Sequence, residues 1–226
     1  MGDKRIHGII FDLDGVLIKS TACHRIAFET VFQSFGIEDF DYRSYAGYRT
    51  RDVIEDVLRR AGRASSSEAV LDAAREKSRL ARQLLDTEKP VADGCKHILA
   101  ELALSYRLAL ATSGSRQGAQ FFLDLVGGHA LFRSVLSGDE VVNAKPHPEI
   151  YLRTTEKLEL EPSQCVVVED SIAGIEAGHR AGAIVVGLTG TCSEEELTRA
   201  GVNYIIRCLE DISSTLSQIE VQLVIT

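Results

Sequence analysis

The 226-residue sequence predicts an α/β fold, a doubly wound parallel sheet that carries an inserted α-helical cap domain. Short apolar runs rich in β-branched residues alternate with segments of helical periodicity, which is the order expected of a parallel sheet covered by helices. Several of these runs are apolar throughout, as in strands buried on both faces. The segment from residue 16 to residue 87 breaks this order, because it has helical patterns and no convincing strand.

The predicted elements follow one another in order along the chain. The first strand, 6–13, precedes the insertion. The later strands are predicted at 108–112, 135–137, 166–169, 184–188 and 203–206. The helices that alternate with them are predicted at 94–104, 116–126, 148–158, 172–181, 193–200 and from about residue 209. Ser193 and Glu196 form a capping-box pattern that marks the start of one of these helices.

The inserted segment contains the helical patterns HRIAFETVFQSF and RDVIEDVLRRAG and a long helical run over 66–85. Its length favours a separate domain. We therefore predict a catalytic core made of residues 1–15 and 88–226 and a cap domain at 16–87, with a return linker at 87–90. The alternative is a helical layer that belongs to the same domain as the sheet.

The composition limits the classes of function. Hydrophobic residues make up 45% of the chain, enough for one core and a small appended domain, and the net charge of −8 argues against a nucleic-acid-binding surface. No apolar stretch is long enough to cross a bilayer, and the N-terminal MGDKRIHG lacks the apolar core of a signal peptide. We expect a cytoplasmic protein, a monomer or weak homodimer, whose scattered cysteines are buried free thiols.

Chemically reactive residues follow the predicted strands. In open α/β sheets the ligand site lies at the carboxyl ends of the strands, so the residues just after each strand are the candidates. These ends supply acids, hydroxyl groups, a glycine and a lysine, and a chance set of this kind at four successive strand ends is a poor explanation. The candidates are Asp12, Asp14, Thr112, Ser113, Gly114, Lys145, Glu169 and Asp170.

Asp12 and Asp14 stand two residues apart, so on an extended chain their carboxylates point to the same face. Two unit negative charges about 4 Å apart repel by about 4 kcal/mol at an effective dielectric constant near 20. The chain can hold this arrangement only if a positive group lies between the acids or one acid keeps a proton. Both possibilities point to a functional site.

Four motifs, DLDGVL, TSG, KPHPEIY and VVVEDSIAGIEAG, resemble those of the haloacid dehalogenase superfamily. The resemblance is to the subfamily with a helical cap inserted after the first motif, which includes phosphoglycolate phosphatases and β-phosphoglucomutases. It implies a Rossmann-like sheet with the first strand central, Mg²⁺ as cofactor, an aspartyl-phosphate intermediate and a small phosphorylated metabolite as substrate.

The resemblance also implies roles for the core residues. Asp12 is the expected nucleophile, Asp14 the general acid and base, and Lys145 the positive charge beside the transferring group. Thr112 and the backbone N–H groups of Ser113 and Gly114 would bind phosphate, and Thr112 and Ser113 could cap the following helix instead or as well. The expected Mg²⁺ ligands are Asp12, Asp14 through its carbonyl, Asp170 and Glu169, the last directly or through water.

The cap offers candidate substrate-binding residues. His24 and Lys77 match positions where relatives carry a histidine and a lysine near the active site, and the stretch AGYRTRD matches the cap loop that reaches the substrate. Arg49 or Arg51 could pair with a carboxylate or a second phosphate, since a guanidinium suits both. Solvated surface charges are the alternative for each. Lys19 stands where the subfamily usually has aspartate, and it adds a positive charge near the cap hinge.

The predicted function is a Mg²⁺-dependent phosphatase that hydrolyses a sugar phosphate or phosphoglycolate. A phosphomutase of the β-phosphoglucomutase type is the second hypothesis, because it would use the same aspartyl phosphate. A dehalogenase needs only the nucleophile and would leave Asp14 and the metal acids without a purpose. A non-catalytic phosphate-binding regulator is disfavoured by the intact set of Asp12, Asp14, Lys145 and Asp170.

Overall fold

A computed structural model describes residues 5–63 and 66–225 of the chain. Within these residues the strands form one six-stranded sheet in the order β3-β2-β1-β4-β5-β6, and the neighbouring strands are parallel. The first strand is central, so the predicted fold class is confirmed. The strands are β1 Gly8–Phe11, β2 Arg107–Thr112, β3 Phe132–Ser137, β4 Cys165–Glu169, β5 Ile184–Leu188 and β6 Tyr204–Ile206.

Helices cover the sheet and fill the segment between β1 and β2. Two of them, α5 and α7, have the predicted bounds. The helices are α1 Thr21–Gln33, α2 Thr50–Arg60, α3 Ser67–Glu88, α4 Cys95–Leu102, α5 Arg116–Val126, α6 Glu149–Leu158, α7 Ile172–Ala181, α8 Glu194–Arg199 and α9 Ile212–Ile225. A short 3₁₀ helix, Tyr42–Tyr45, lies between α1 and α2. The predicted capping box at Ser193 and Glu196 is confirmed at the start of α8.

The first and third strands differ most from their predicted bounds. The first strand ends at Phe11 rather than at residue 13, because the chain turns back over the Leu13 carbonyl, which accepts hydrogen bonds from Leu17 and Ile18. The third strand begins at Phe132 rather than at residue 135. The exposed Arg133 interrupts its apolar pattern, and this hid its start in the sequence.

The sheet is buried on both faces, as the apolar runs predicted. Side chains alternate along each strand, so Ile9 and Phe11 join one apolar layer and Ile10 joins the other. The helices between β1 and β2 have an apolar cluster of their own, centred on Phe28, Phe32 and further side chains of α2 and α3. This separate cluster agrees with a cap domain, while the division into two domains stays a prediction.

We call α1, α2 and α3, with the 3₁₀ helix between them, the helical insertion. Its return to the sheet differs from the predicted linker at 87–90, because α3 continues to Glu88 and ends at Lys89, which has the left-handed φ of 46°. Ile18 then bridges Val91 where the two connecting segments run side by side. Lys19, whose role the sequence left open, pairs with Asp93 across these segments at 2.6 Å.

Among the described residues, none of the helices combines the length and the apolar character needed to cross a membrane. The cysteines are free thiols, as predicted. Four of them are buried, while Cys208 is exposed and departs from the expected burial.

Candidate active site

The predicted site residues come together at the edge of the sheet formed by the carboxyl ends of its strands. In the parallel register, Phe11 of β1 lies beside Leu110 of β2 and Val168 of β4. The residues that follow these three positions therefore emerge as neighbours. The Asp12 backbone N–H donates to the Val168 carbonyl at 3.0 Å, which fixes the start of the loop that carries both aspartates.

Lys145 lies at the centre of this edge, with its side chain fully buried. Its Nζ donates to Asp12 Oδ1 at 2.6 Å, to Glu169 Oε1 at 2.7 Å and to the Ala111 carbonyl at 3.2 Å. Burial alone would lower the pKa of an ammonium group, but the charges of Asp12 and Glu169 hold the pKa of Lys145 well above its ordinary value. Lys145 is therefore a permanent positive charge beside Asp12.

Glu169 is also fully buried, and both of its oxygens accept hydrogen bonds. Besides the bond from Lys145, Oε1 accepts from the Tyr151 hydroxyl at 2.6 Å. Oε2 accepts from the Ser171 hydroxyl at 3.0 Å and from two backbone N–H groups. Burial acts to raise the pKa of Glu169, but Lys145 and these donors lower it, so Glu169 is ionised. A Cβ at position 174 would lie 1.7 Å from Oε1, so Gly174 leaves the space that the carboxylate fills.

Asp12, Glu169 and Asp170 each offer a carboxylate oxygen within 4.8 Å of the others. Burial, together with the charges of Glu169 and Asp12, raises the pKa of Asp170 well above its ordinary value. Burial raises the pKa of Asp12 as well, despite its bond to Lys145. Lys145 bonds two of these three buried acids and not Asp170, so the cluster is short of positive charge, and an oxygen-only donor set of this kind fits Mg²⁺.

The turn after Asp14 is shaped to admit Asp170. Gly15 has φ +87°, and a Cβ there would lie 1.7 Å from Asp170 Oδ2. Any other residue would strain the turn and displace the carboxylate. Gly15 therefore lets the loop after β1 approach the Asp170 carboxylate at the end of β4.

The hydroxyl group of Thr112 is buried at the end of β2 and accepts from the Gly114 backbone N–H at 2.9 Å. Ser113 donates its hydroxyl to the Gly47 carbonyl at 2.6 Å, so it contacts the helical insertion. Gly114 lies against Asp14, since a Cβ there would be 3.3 Å from Oδ2. The alternative that Thr112 or Ser113 caps α5 is wrong, because Ser115 is the N-cap and accepts from the Gly118 N–H.

Asp14 is linked to the helical insertion through a chain of polar side chains. Its Oδ1 accepts from the Ser20 hydroxyl at 2.7 Å and lies 2.7 Å from His24 Nε2. The other ring nitrogen of His24 lies 2.8 Å from Lys77 Nζ, and Lys77 also reaches the Thr50 hydroxyl at 3.4 Å. Because a carboxylate only accepts, His24 donates through Nε2 and accepts from Lys77 through Nδ1. Two predicted cap residues thus act together on Asp14.

Asp14 and Lys77, at the two ends of this hydrogen-bonded series of side chains, have opposite electrostatic surroundings. Burial acts to raise the pKa of Asp14, but His24 and the Ser20 hydrogen bond hold it well below its ordinary value. Lys77 is 4% exposed, and burial lowers its pKa to about 8 although the charge of Asp14 opposes this. Its ammonium lies 4.3 Å from the centre of the Phe28 ring, an apolar neighbour that cannot take its proton. Lys77 can therefore exchange a proton near neutral pH.

The two cap arginines do not take part in the hydrogen-bonded series of Asp14, His24 and Lys77. Arg49 pairs with Asp52 through Nε and Nη2, at 3.1 and 3.0 Å, and donates through Nη1 to the Val141 carbonyl. It joins the helical insertion to the loop after β3. Arg51 is exposed on α2.

Sequence reasoning assigned no role to Ser20, Thr50 and Tyr151, which hold Asp14, Lys77 and Glu169. Ser20 and His24 stand four apart at the start of α1, so helical spacing could have paired them. Tyr151 lies within the quoted KPHPEIY motif. Nothing in the local pattern marks Thr50.

Comparison with known proteins agrees with this geometry. The family model of haloacid dehalogenase-like hydrolases matches residues 9–188. Validoxylamine A 7'-phosphate phosphatase of Streptomyces hygroscopicus subsp. limoneus is 34% identical over 85% of this chain and 90% of that protein. The phosphorylated carbohydrates phosphatase of Thermotoga maritima is 32% identical over 78% of this chain and 82% of that protein.

A solved structure extends the likeness to nearly the whole chain. The β-phosphoglucomutase of Clostridium difficile matches with a TM-score of 0.86 and 23% identity, over 98% of this chain and 100% of that one. At this identity the match shows the fold. The chain belongs to the haloacid dehalogenase-like hydrolases, so the family indicated by its motifs is confirmed and it is a hydrolase.

Proposed function

We propose that this protein is a Mg²⁺-dependent phosphatase that hydrolyses a small phosphorylated metabolite, a sugar phosphate or phosphoglycolate, through a phosphorylated Asp12. The observation that carries the proposal is the position of Asp12, 2.6 Å from the buried ammonium of Lys145 and beside Asp170 and Glu169. The names of two relatives, a validoxylamine A 7'-phosphate phosphatase and a phosphorylated carbohydrates phosphatase, support a small phosphorylated substrate.

Asp12 acts as the nucleophile. Its carboxylate attacks phosphorus, the bond from phosphorus to the leaving oxygen breaks, and an acyl phosphate forms. Lys145 remains charged throughout because Glu169 also binds it, so it offsets the negative charge that gathers around Asp12. Thr112 and the N–H groups of the loop before α5 lie beside the same edge and hold the phosphoryl oxygens.

Asp14 transfers the proton. In the free site it is ionised, since His24 and Ser20 hold its pKa down. An arriving phosphate dianion repels this carboxylate and raises its pKa, which favours uptake of a proton through His24 from Lys77. Asp14 then protonates the leaving oxygen and, once ionised again, takes a proton from the water that cleaves the acyl phosphate.

Asp12, Asp170 and the Asp14 carbonyl are the groups that would hold Mg²⁺, and Glu169 would act directly or through water. The bound metal supplies positive charge against the phosphate dianion. Glu169 already accepts bonds at both oxygens, and this supports the indirect role.

One observation favours the phosphomutase as a second candidate. The helical insertion lies on the site, with Ser113 bonded to the Gly47 carbonyl and a Cβ at position 47 placed 2.2 Å from the Ser171 hydroxyl. A mutase must keep water away from its phosphorylated intermediate until a second sugar hydroxyl attacks it. A covered site provides this exclusion of water. Product analysis separates the two activities, because only the phosphatase releases phosphate.

The test is a phosphate-release screen with Mg²⁺ against hexose 1- and 6-phosphates, pentose phosphates and phosphoglycolate. We expect turnover by the wild type, complete loss with Asp12→Asn or with excess EDTA, and unchanged turnover with Asp39→Asn, an exposed control. Release of phosphate at the full rate in EDTA would contradict the metal assignment. Isomerised sugar phosphate without free phosphate would favour the mutase.

A further inference from the structure

Tyr42 is an unexplained polar side chain in the helical insertion. The residue is 9% exposed, and its hydroxyl has no hydrogen-bond partner among the described residues. The hydroxyl is nevertheless not sealed off, because the enclosed side-chain polar atoms without a partner in the described part of the chain are Ser134 Oγ and His179 Nε2. A buried phenol that keeps its hydroxyl unpaired opens into a space that water or a ligand can enter.

The aromatic ring of Tyr42 lies near the hydrogen-bonded side chains that lead to Asp14. Its ring centre lies 6.1 Å from that of Phe28. Phe28 in turn lies 4.3 Å from the Lys77 ammonium, and His24 joins Lys77 to Asp14 through contacts of 2.8 and 2.7 Å. Tyr42 is therefore joined through Phe28 to the part of the helical insertion that reaches Asp14.

The charges that act on Tyr42 also place it near the acids of the candidate site. Burial raises the pKa of the Tyr42 phenol, and the charges of Asp14, Asp170 and Asp12 raise it further, with Asp14 the strongest of the three. These acids stand at the ends of β1 and β4. The phenol stays neutral, so it is available as a hydrogen-bond donor.

We propose that the Tyr42 hydroxyl binds a hydroxyl group of the substrate's leaving group and so favours polyhydroxylated, carbohydrate-like phosphates. This inference rests on the proposed function, in which Asp14 protonates the leaving oxygen. A hydrogen-bond donor of the helical insertion near Asp14 would therefore lie on the side of the leaving group.

The neighbouring charges favour the same substrate class. Phosphoglycolate carries a second anion, its carboxylate, and the guanidinium of Arg49 would be the natural partner for it. That guanidinium is already bonded to Asp52 and to the Val141 carbonyl. A neutral leaving group needs no such partner, while it does need donors such as Tyr42.

The experiment compares Tyr42→Phe with the wild type on hexose and pentose phosphates and on p-nitrophenyl phosphate, whose leaving group has no hydroxyl besides the ester oxygen. We expect Tyr42→Phe to lower kcat/KM about tenfold for the sugar phosphates and to leave p-nitrophenyl phosphate nearly unchanged. Tyr204→Phe is the matched control, because this tyrosine lies on the edge strand β6 and donates its hydroxyl to Gln222 at 2.8 Å. Melting temperatures check that the fold is retained.

An equal loss on both kinds of substrate, or no loss on either, would overturn the inference while the proposed phosphatase stands. A preference of the wild type for phosphoglycolate over every sugar phosphate would overturn it as well. A wild type that releases phosphate from none of these compounds would remove the proposed function and the role of Tyr42 together.

Discussion

In the part of the chain that the structure describes, two lysines are buried near the candidate catalytic acids, and their pKa values are shifted in opposite directions. Lys145, at the sheet edge, is 2% exposed and lies within 2.7 Å of two carboxylates, while Lys77, in the helical insertion, is 4% exposed and meets an imidazole, a hydroxyl and an aromatic ring. The pKa of Lys145 is raised well above its ordinary value, and the pKa of Lys77 is lowered to about 8.

Burial is nearly equal at the two sites, so the partners decide the charge. Removing an ammonium group from water disfavours its charged form, and only adjacent anions restore it. The sheet edge therefore holds a fixed cation suited to stabilising phosphate. The helical insertion holds an amine that gains and loses a proton near neutral pH, which suits proton delivery to Asp14.

The strongest test of the fixed cation is Lys145→Met. We expect turnover to fall about thousandfold, because Asp12 and the transferring group lose their positive neighbour. The free energy of unfolding should also fall by about 3 to 5 kcal/mol, since Asp12 and Glu169 are left buried without a cation. Phosphate release and urea denaturation measure the two effects, with the exposed Lys157→Met as control. Retention of a tenth of the activity would contradict the role of Lys145.

The difference in pKa predicts different responses of stability to pH. A lysine whose folded pKa is lowered to about 8 destabilises the fold below that pH, and the penalty disappears as pH rises toward the unfolded value of 10.5. The stability of the wild type relative to Lys77→Met should therefore increase by about 3 kcal/mol between pH 8 and 10.5.

Lys145→Met should show no such increase over the same range, because a lysine with a raised folded pKa stays charged in both states there. Urea denaturation of the three proteins at several pH values makes the comparison. If the free energy of unfolding of the two variants depended on pH in the same way, both lysines would carry a fixed charge. The distinction between the two regions would then be lost.

The smallest expected effect is that of Lys77→Met on turnover. Loss of the amine interrupts proton delivery through His24, and we expect kcat to fall between about tenfold and a hundredfold. Methionine can fill the space against Phe28, so stability at pH 7 should not decrease. Steady-state kinetics measures the effect, and Lys77→Arg, which keeps a charge but not a pKa near 8, should not rescue it. Full activity of either variant would exclude Lys77 from proton transfer.

The arrangement at the sheet edge could be predicted because it depends on short-range patterns. Apolar runs mark the strands, and the register of a parallel sheet brings the residues after them to one place. Asp12, Thr112, Lys145 and Asp170 therefore converge as the motifs indicated. Gly178 of α7 lets this helix pack closely on the sheet, because a Cβ there would lie 2.8 Å from Val185.

The contacts of the helical insertion could not be predicted in the same way. His24 and Lys77 were candidates for substrate binding, but their partnership spans 53 residues and depends on how α1 packs against α3. The pairing of Arg49 with Asp52 and Val141, and the placement of Tyr42, depend on the same packing.

The sequence by itself determined the family, the parallel sheet and the carboxylates and lysine at its edge, because strand periodicity and chain order fix which residues emerge together. Only the tertiary structure decided which buried lysine keeps its charge and which can release a proton. The two side chains are chemically identical, and their pKa values differ because long-range packing places two carboxylates against one and an aromatic ring and an imidazole against the other.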